Sequence, residues 1–420
     1  MADDTPTPRP PGWNKDRSVA TPVPPPRSGD AELTVGLYCQ VPMLQWFQSA
    51  ITAAWQKVQP GVALTFVDYD CYSADPPATL DVFAFDAIFA SYFVQQQYLQ
   101  AFPTDTSDFF DWSLAGLSVN SDTLWAVPYL GCMNILIYRN DDPELGAQDL
   151  TVDGLLNILG PGPTTSIWPA PGAGLLIDFS GGTTDACLYL QVAMQNSGQY
   201  PLEPVLPQCP GGLDGPTMGN LQTAVKVAGP LQARHVDSGY ERLNKFVSNS
   251  SGRAFAGLTE NFHFFPEDPT TTYTFRPLPL AGRPATTIPL YADALAVNRA
   301  IDPAKLSLAI QLVELIASPA VTLASFSPQG CATPQCLTPV RPSVLHALAA
   351  QWPLYSEIAW RLGNNADVAF RMGAASRPWL NANKSCIRSQ ILGPGAELLD
   401  DSPAQVPGYA STPAGLWRKD

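Results

Sequence analysis

LTVGLYCQVPMLQWFQSAITAAWQKVQPGVALTFVDYD, residues 33–70, decides the fold class. Its first six residues are an apolar run that reads as a buried strand. Leu44, Phe47, Ile51 and Trp55 then recur at helical spacing, and VALTFVDYD (residues 62–70) reads as a second strand after a Pro-Gly break. LDVFAFDAIF (residues 80–89) predicts a third strand. Strands alternating with helices across short Pro/Gly punctuation predict a parallel sheet covered by helices. Ligands of such sheets sit at the carboxyl ends of the strands, and Tyr38, Asp70 and Asp86 fall at or near those ends.

The pattern continues outward from there. WAVPYLGCMNILIYRND (125–141) holds a break at Cys132 before the strand-like ILIY, and GLLIDFSGG (174–182) precedes a helix over 184–195. SGRAFAGLTENFHFF (251–265) reads as a strand ending in a polar cluster, and IPLYADALAVNR (288–299) as a strand that returns the chain to the first lobe. A helix is predicted over 303–318, with Leu306, Ala309, Ile310, Val313 and Ile316 on one face. The expected architecture is α/β with two lobes and a ligand cleft between them, the chain crossing more than once. Lobe 1 is expected at about 31–135 and 290–345, and lobe 2 at about 136–289 and 346–392. Residues 1–30, rich in Pro, and 393–420 are expected to be flexible tails.

Composition narrows the function classes. Hydrophobic residues make up 45% of the 420 and charged residues 14%, which is a core-forming composition. The net charge of -14 argues against a nucleic-acid partner. No apolar run approaches the roughly 20 residues of a membrane helix. Residues 1–30 lack the apolar stretch of a signal peptide. Low Lys content and the sequons at Asn249 and Asn383 nevertheless fit a secreted or periplasmic protein, and a monomer is expected. Cys331 and Cys336, in a Pro/Gly-rich loop, have the spacing for a small disulfide.

His235, His263 and His346 show no metal-ligand spacing, and neither a P-loop nor a G-x-S-x-G elbow is present. Ser180-Gly181-Gly182-Thr183-Thr184 reads equally as an anion-holding loop or as a tight turn with a helix cap. Cys132 is either a small core residue or a nucleophile, and a nucleophile needs a neighbour to take its proton. Glu260, in the mostly apolar AFAGLTENF, is the candidate base, because desolvation raises a carboxyl toward useful basicity; a salt bridge or helix cap is the structural alternative. Asp86 in FAFDAIF and Asp293 in PLYADALAV are carboxylates in apolar frames, where burial demands a partner. With Tyr38, Tyr72, Tyr240 and Tyr291 they suit a flat, nitrogen-rich ring.

Asp68–Leu99 (DYDCYSADPPATLDVFAFDAIFASYFVQQQYL), GLLIDFSGGTTDACLYL (174–190) and IPLYADALAVN (288–298) together resemble the thiaminase I family. The resemblance runs in order from about Leu33 to Leu380. It implies a fold similar to the type II periplasmic binding proteins. It also implies Cys132 as nucleophile, Glu260 (after Gly252-Arg253-Ala254-Phe255) as base, Asp86 and Asp293 as pyrimidine ligands, and Tyr38, Tyr72, Tyr240 and Tyr291 as ring contacts. The implied partners are thiamine, as substrate, and a small nucleophilic base of the pyridine, aniline or thiol class. The implied chemistry requires no metal or organic cofactor. The alternative of another class is a non-catalytic thiamine- or pyrimidine-binding protein of a transporter, which needs the aspartates and tyrosines but not the Cys132–Glu260 pair.

Overall fold

The computed structural model describes residues 31–37, 41–147, 149–179, 181–198, 208–235, 241–265, 269–285, 287–364 and 366–393. Tyr38, Tyr240, Ser180 and the two tails, apart from Gly393, therefore lie outside the described residues. The main strands are, in chain order, β1 (Ala31–Leu37), β2 (Val62–Asp68), β3 (Val82–Asp86), β4 (Val127–Arg139), β5 (Pro171–Leu176), β6 (Gly252–Leu258), β7 (Tyr273–Pro277), β8 (Thr287–Asn298) and β9 (Ala366–Ala369). Four helices matter most for the site and its support: α1 (Leu44–Val58), α2 (Gly182–Ser197), α3 (Leu306–Ile316) and α4 (Ser376–Leu392).

β1 runs parallel to β2 and β3, the strand–helix–strand order read from residues 33–70. α1 buries Phe47, Ile51 and Trp55, and Trp55 Nε1 donates to Val62 O at 3.0 Å, tying the helix end to the start of β2. The third strand is shorter than its apolar run. It stops at Asp86, whose carboxylate accepts the Ile88 N–H at 3.1 Å and turns the chain into a 3-10 turn, Ala87–Phe89. α3 forms inside the expected span and buries Ala309, Leu312, Val313 and Ile316.

Among the described residues these strands belong to one sheet, in the order β2-β1-β3-β8-β4-β6-β5. β4 is continuous through all 13 residues, so the expected break at Cys132 is absent. Its first half pairs antiparallel with β8, and its second half with β6 and β7. β4 and β8 thus carry the chain between the two α/β lobes. At its other end β8 pairs antiparallel with β3 and, near its start, parallel with β9.

β6 also ends sooner than its sequence suggests. Asn261 Oδ1 accepts the Leu258 N–H at 2.9 Å, and Thr259–Phe264 coils into a 3-10 helix. α4 packs against α2, where Arg388 Nη1 meets Asp185 Oδ2 at 2.9 Å in the interior. Its Cys386 is bonded to Cys209, with Cα atoms 6.1 Å apart. The bridge expected between Cys331 and Cys336 is not formed; both remain thiols. Asn383 is 3% exposed, donates to Trp379 O at 2.8 Å and accepts the Cys209 N–H at 2.9 Å. The acceptor side chain of its sequon is packed inside the fold and is no mark of secretion, whereas Asn249 is exposed. Among the described residues no single helix is long and apolar enough to cross a membrane.

Candidate active site

The site lies where β4 and β8 pass from one lobe to the other. In their antiparallel register Cys132 is the partner of Tyr291, and Asp293 the partner of Leu130. Side chains directly opposite in such a pair share a face. Gly131 exchanges two backbone hydrogen bonds with Thr338, each 2.8 Å. A Cβ at Gly131 would stand 2.8 Å from Trp112 Cη2, 3.0 Å from Tyr291 O and 3.2 Å from Thr338 O. Only a glycine allows that approach, and it holds the backbone of Cys132 firmly.

Asp86 is buried at the end of β3 and is the register partner of Asp293. Tyr72 donates its hydroxyl to Asp86 Oδ2 at 2.5 Å and sets its ring edge-on to Phe89, centroids 4.9 Å apart. Asp86 N–H points to Cys71 Sγ at 3.3 Å. Burial, then the charges of Asp86 and Asp70, push the Cys71 thiol well above the ordinary thiol range, so Cys71 stays protonated. Arg371 supplies a buried positive charge to this corner. Burial lowers its guanidinium to about 10 while the charge of Asp86 acts to raise it. Its donors are fixed by Ala115 O at 2.7 Å and Phe370 O at 2.9 Å.

β6 pairs antiparallel with β4 as far as Leu258 opposite Asn134, two residues along β4 from Cys132, and Glu260 follows two residues after Leu258. Glu260 is buried in the 3-10 helix that replaces the strand there, and Thr259 before it reaches Thr338 Oγ1 at 3.4 Å. Thr338 is the residue that grips Gly131, so one threonine touches the segments of both candidate groups. Asn134, on the same strand face as Cys132, donates to Gln191 Oε1 on α2 at 2.8 Å. Tyr291 donates to the same oxygen at 3.3 Å and stacks on Phe370 at 4.6 Å.

Four of these residues border a cleft that opens to solvent. Tyr72, Cys132, Asn134 and Tyr291 line one side of it. The other lobe contributes Asp178, Thr183, Thr184, Cys187 and Arg242. The half-buried thiol of Cys132 and the rings of Tyr72 and Tyr291 lie on the cleft wall.

Residues 133–281 match the family model described as the thiaminase-1 domain. The chain is 34% identical over 369 residues to thiaminase-1 of Paenibacillus thiaminolyticus, covering 86% of this chain and 88% of that one. The chain belongs to the thiaminase-1 family. It superposes with a TM-score of 0.78 on Clostridium botulinum thiaminase I in complex with thiamin, at 30% identity, covering 86% of this chain and 99% of that one. At the level of fold alone it resembles the maltodextrin-binding protein MalE1 from L. casei BL23, with a TM-score of 0.56 at 15% identity over 87% of this chain and 95% of that one. The two-lobed, periplasmic-binding-protein-like architecture expected from the sequence is therefore the architecture of this thiaminase-1 family member.

Of the eight residues singled out from the sequence, five are linked along β3, β8 and β4: Cys132, Asp86, Asp293, Tyr72 and Tyr291; Glu260 is buried in the 3-10 helix after β6. Tyr38 and Tyr240 are not described. In this family member Asn134, Gln191, Asp178, Arg242 and Arg371 join the site without having been anticipated. Asp178 lies just past the end of β5, a place that the strand-end rule points to in retrospect. Gln191 and Arg371 gave no local signal.

Proposed function

We propose that the chain is a thiamine-cleaving transferase that exchanges the thiazole of thiamine for an organic base or a thiol. The observation that carries the reading is the placement of Cys132 on β4, opposite Tyr291 and on the wall of the cleft, with the Asp86–Asp293 pair on the adjoining strands. Glu260 takes the thiol proton, and Cys132 adds to the pyrimidine carbon next to a ring nitrogen. Loss of aromaticity lets the ring expel the thiazole from the bridging methylene. An acceptor adds to the methylene, and Cys132 leaves. Asp86 and Asp293 hold the aminopyrimidine and balance the charge that moves within it, with Tyr72 and Tyr291, and by resemblance Tyr38 and Tyr240, against the ring. None of these steps calls on a metal or an organic cofactor.

The described residues that line the cleft all come from one chain, in keeping with a monomer. The Cys209–Cys386 disulfide supports an oxidising compartment, the cell exterior or the periplasm. The lobes, at about 31–135 with 290–345 and 136–289 with 346–392, close over the substrate about the crossing strands.

Thiamine loss in the presence of pyridine, wild type beside Cys132→Ser, tests the reading. Wild type is expected to release the thiazole, and the variant to bind thiamine while turning over at least about 10³-fold more slowly. Wild type that binds thiamine and leaves it intact with pyridine, aniline and a thiol would instead be a solute-binding protein.

A further inference from the structure

We propose that Asp178, backed by Arg242, selects acceptors by charge, favouring those whose product carries a positive charge over those that arrive as anions. This rests on the thiamine-cleaving reading and extends it to the second substrate. Among the described residues that line the cleft, Asp178 carries the only carboxylate and Arg242 the only cationic side chain. Their atoms Oδ1 and Nη1 are 3.4 Å apart.

The two ends of this pair are placed differently. The Arg242 side chain is 3% exposed, against 22% for that of Asp178. Arg242 Nη2 is committed to Gln232 O at 3.0 Å and His235 O at 2.7 Å, and the guanidinium lies 5.8 Å from the Trp168 ring centroid. The cation is thus anchored in the wall of the lobe, and the negative end of the pair faces the cleft. A negative potential there raises the local concentration of cations and repels anions. Asp178 is on the lobe-2 side of Cys132, away from the Asp86–Asp293 end that suits the pyrimidine. That places it where the thiazolium departs and the acceptor enters.

The charge balance of the transfer makes this consequential. Thiamine is a cation, and the thiazole leaves with the electron pair of the broken C–N bond as a neutral molecule. When pyridine attacks, its nitrogen lone pair forms the new C–N bond and the product is a pyridinium cation, so positive charge returns to the same place. When a thiol attacks as its thiolate, the new C–S bond gives a neutral product, and the thiol proton has gone to solvent. In both cases the C–S bond to Cys132 breaks and the sulfur leaves with its pair. Asp178 therefore stabilises the route to pyridinium and opposes entry of the thiolate. Its partial exposure and its ion pair with Arg242 moderate the effect.

The test is a competition in which pyridine and a small monothiol partition the same enzyme-bound intermediate. Both products form in one mixture, so changes in thiamine binding or in the fold fall on both. Asp178→Asn is expected to lower the pyridinium-to-thioether ratio on the order of tenfold, and Asp178→Glu to restore it. An unchanged ratio in a folded Asp178→Asn variant overturns the proposal. A second arm uses wild type alone and offers pyridine-3-carboxamide against pyridine-3-carboxylate, two acceptors of similar shape that differ by one negative charge. Preference for the amide by about tenfold is expected, and equal use overturns the proposal independently of any variant. Wild type that forms no product with any acceptor would overturn the thiamine-cleaving reading itself.

Discussion

Asp86 on β3 and Asp293 on β8 are cross-strand partners, so two carboxylates stand directly opposite each other on one face of the sheet. Like charges in that relationship destabilise a sheet. Tyr72 and the positive charge of Arg371 offset part of the repulsion. A ligand that presents N–H groups to both carboxylates offsets more of it. Asp293→Asn is therefore expected to raise the melting temperature of the unliganded protein by about 2 °C. The same change is expected to weaken thiamine binding by about tenfold, through loss of a charged acceptor. Calorimetric melting and titration of the one variant check both signs; a lower melting point with unchanged affinity would assign Asp293 a purely structural part.

Gly131→Ala places a methyl group against Trp112, the Tyr291 carbonyl and the Thr338 carbonyl at once. Two of the three are backbone atoms that do not yield easily. The expected cost is about 1–3 kcal/mol of stability, with at least a tenfold loss of kcat as Cys132 shifts. Denaturant unfolding and steady-state kinetics measure the two effects. Full activity would mean that Thr338 does not position the sulfur.

Glu260→Gln keeps the shape of the side chain and removes its basicity. Thiamine turnover is expected to fall about 10²–10⁴-fold, and the limb of the pH–rate profile that reports the base to disappear. Alkylation of Cys132 by iodoacetamide, followed by mass spectrometry at several pH values, is expected to slow in parallel. An unaltered alkylation rate would separate Glu260 from the thiol.

His263, in the 3-10 helix that carries Glu260, sits with Nδ1 2.7 Å from Pro334 O and its ring edge-on to Trp46. Burial lowers its basicity, against the pull of the Pro334 carbonyl. Folding thus favours the neutral ring, while the unfolded chain takes up a proton near pH 6.5. The stability this contributes is present above that pH and is lost as the pH falls below it. Melting curves over that range are expected to flatten in His263→Gln; identical slopes would show that His263 is protonated without cost.

The Cys209–Cys386 bridge closes a sequence separation of 177 residues and ties α4 to the lobe that carries α2. Cys386→Ala is expected to lower stability by about 2–4 kcal/mol and to leave kcat within about twofold. Unfolding in non-reducing buffer checks the first expectation, and the thiamine assay the second.

The residues legible in the sequence are those whose immediate neighbours betray them. A carboxylate inside FAFDAIF or PLYADALAV has no inexpensive structural excuse, and the β1–α1–β2 pattern repeats one period over enough residues to be secure. Cys132 lies on the wall of the cleft, but the sequence misplaces its setting. Gly131 looks like a strand breaker, whereas the close approach of Trp112 and Thr338 demands it within an unbroken strand. Features that depend on distant pairing leave no local trace. Asn134 and Gln191 are 57 residues apart, and the true disulfide spans far more, while the compact CATPQC spacing suggests a bridge that does not form. α4 escapes apolar periodicity because Arg377, Asn383 and Arg388 are among the residues it buries.

β4 belongs to both lobes at once, and Cys132 stands at the point where its partners change from β8 to β6 and β7. Any rotation of one lobe against the other has to be taken up by the backbone within a few residues of the sulfur. Tyr291 stands opposite Cys132 on the second crossing strand and moves with the same pivot. A ligand that draws the lobes together would therefore act on the stretch of backbone that carries this sulfur.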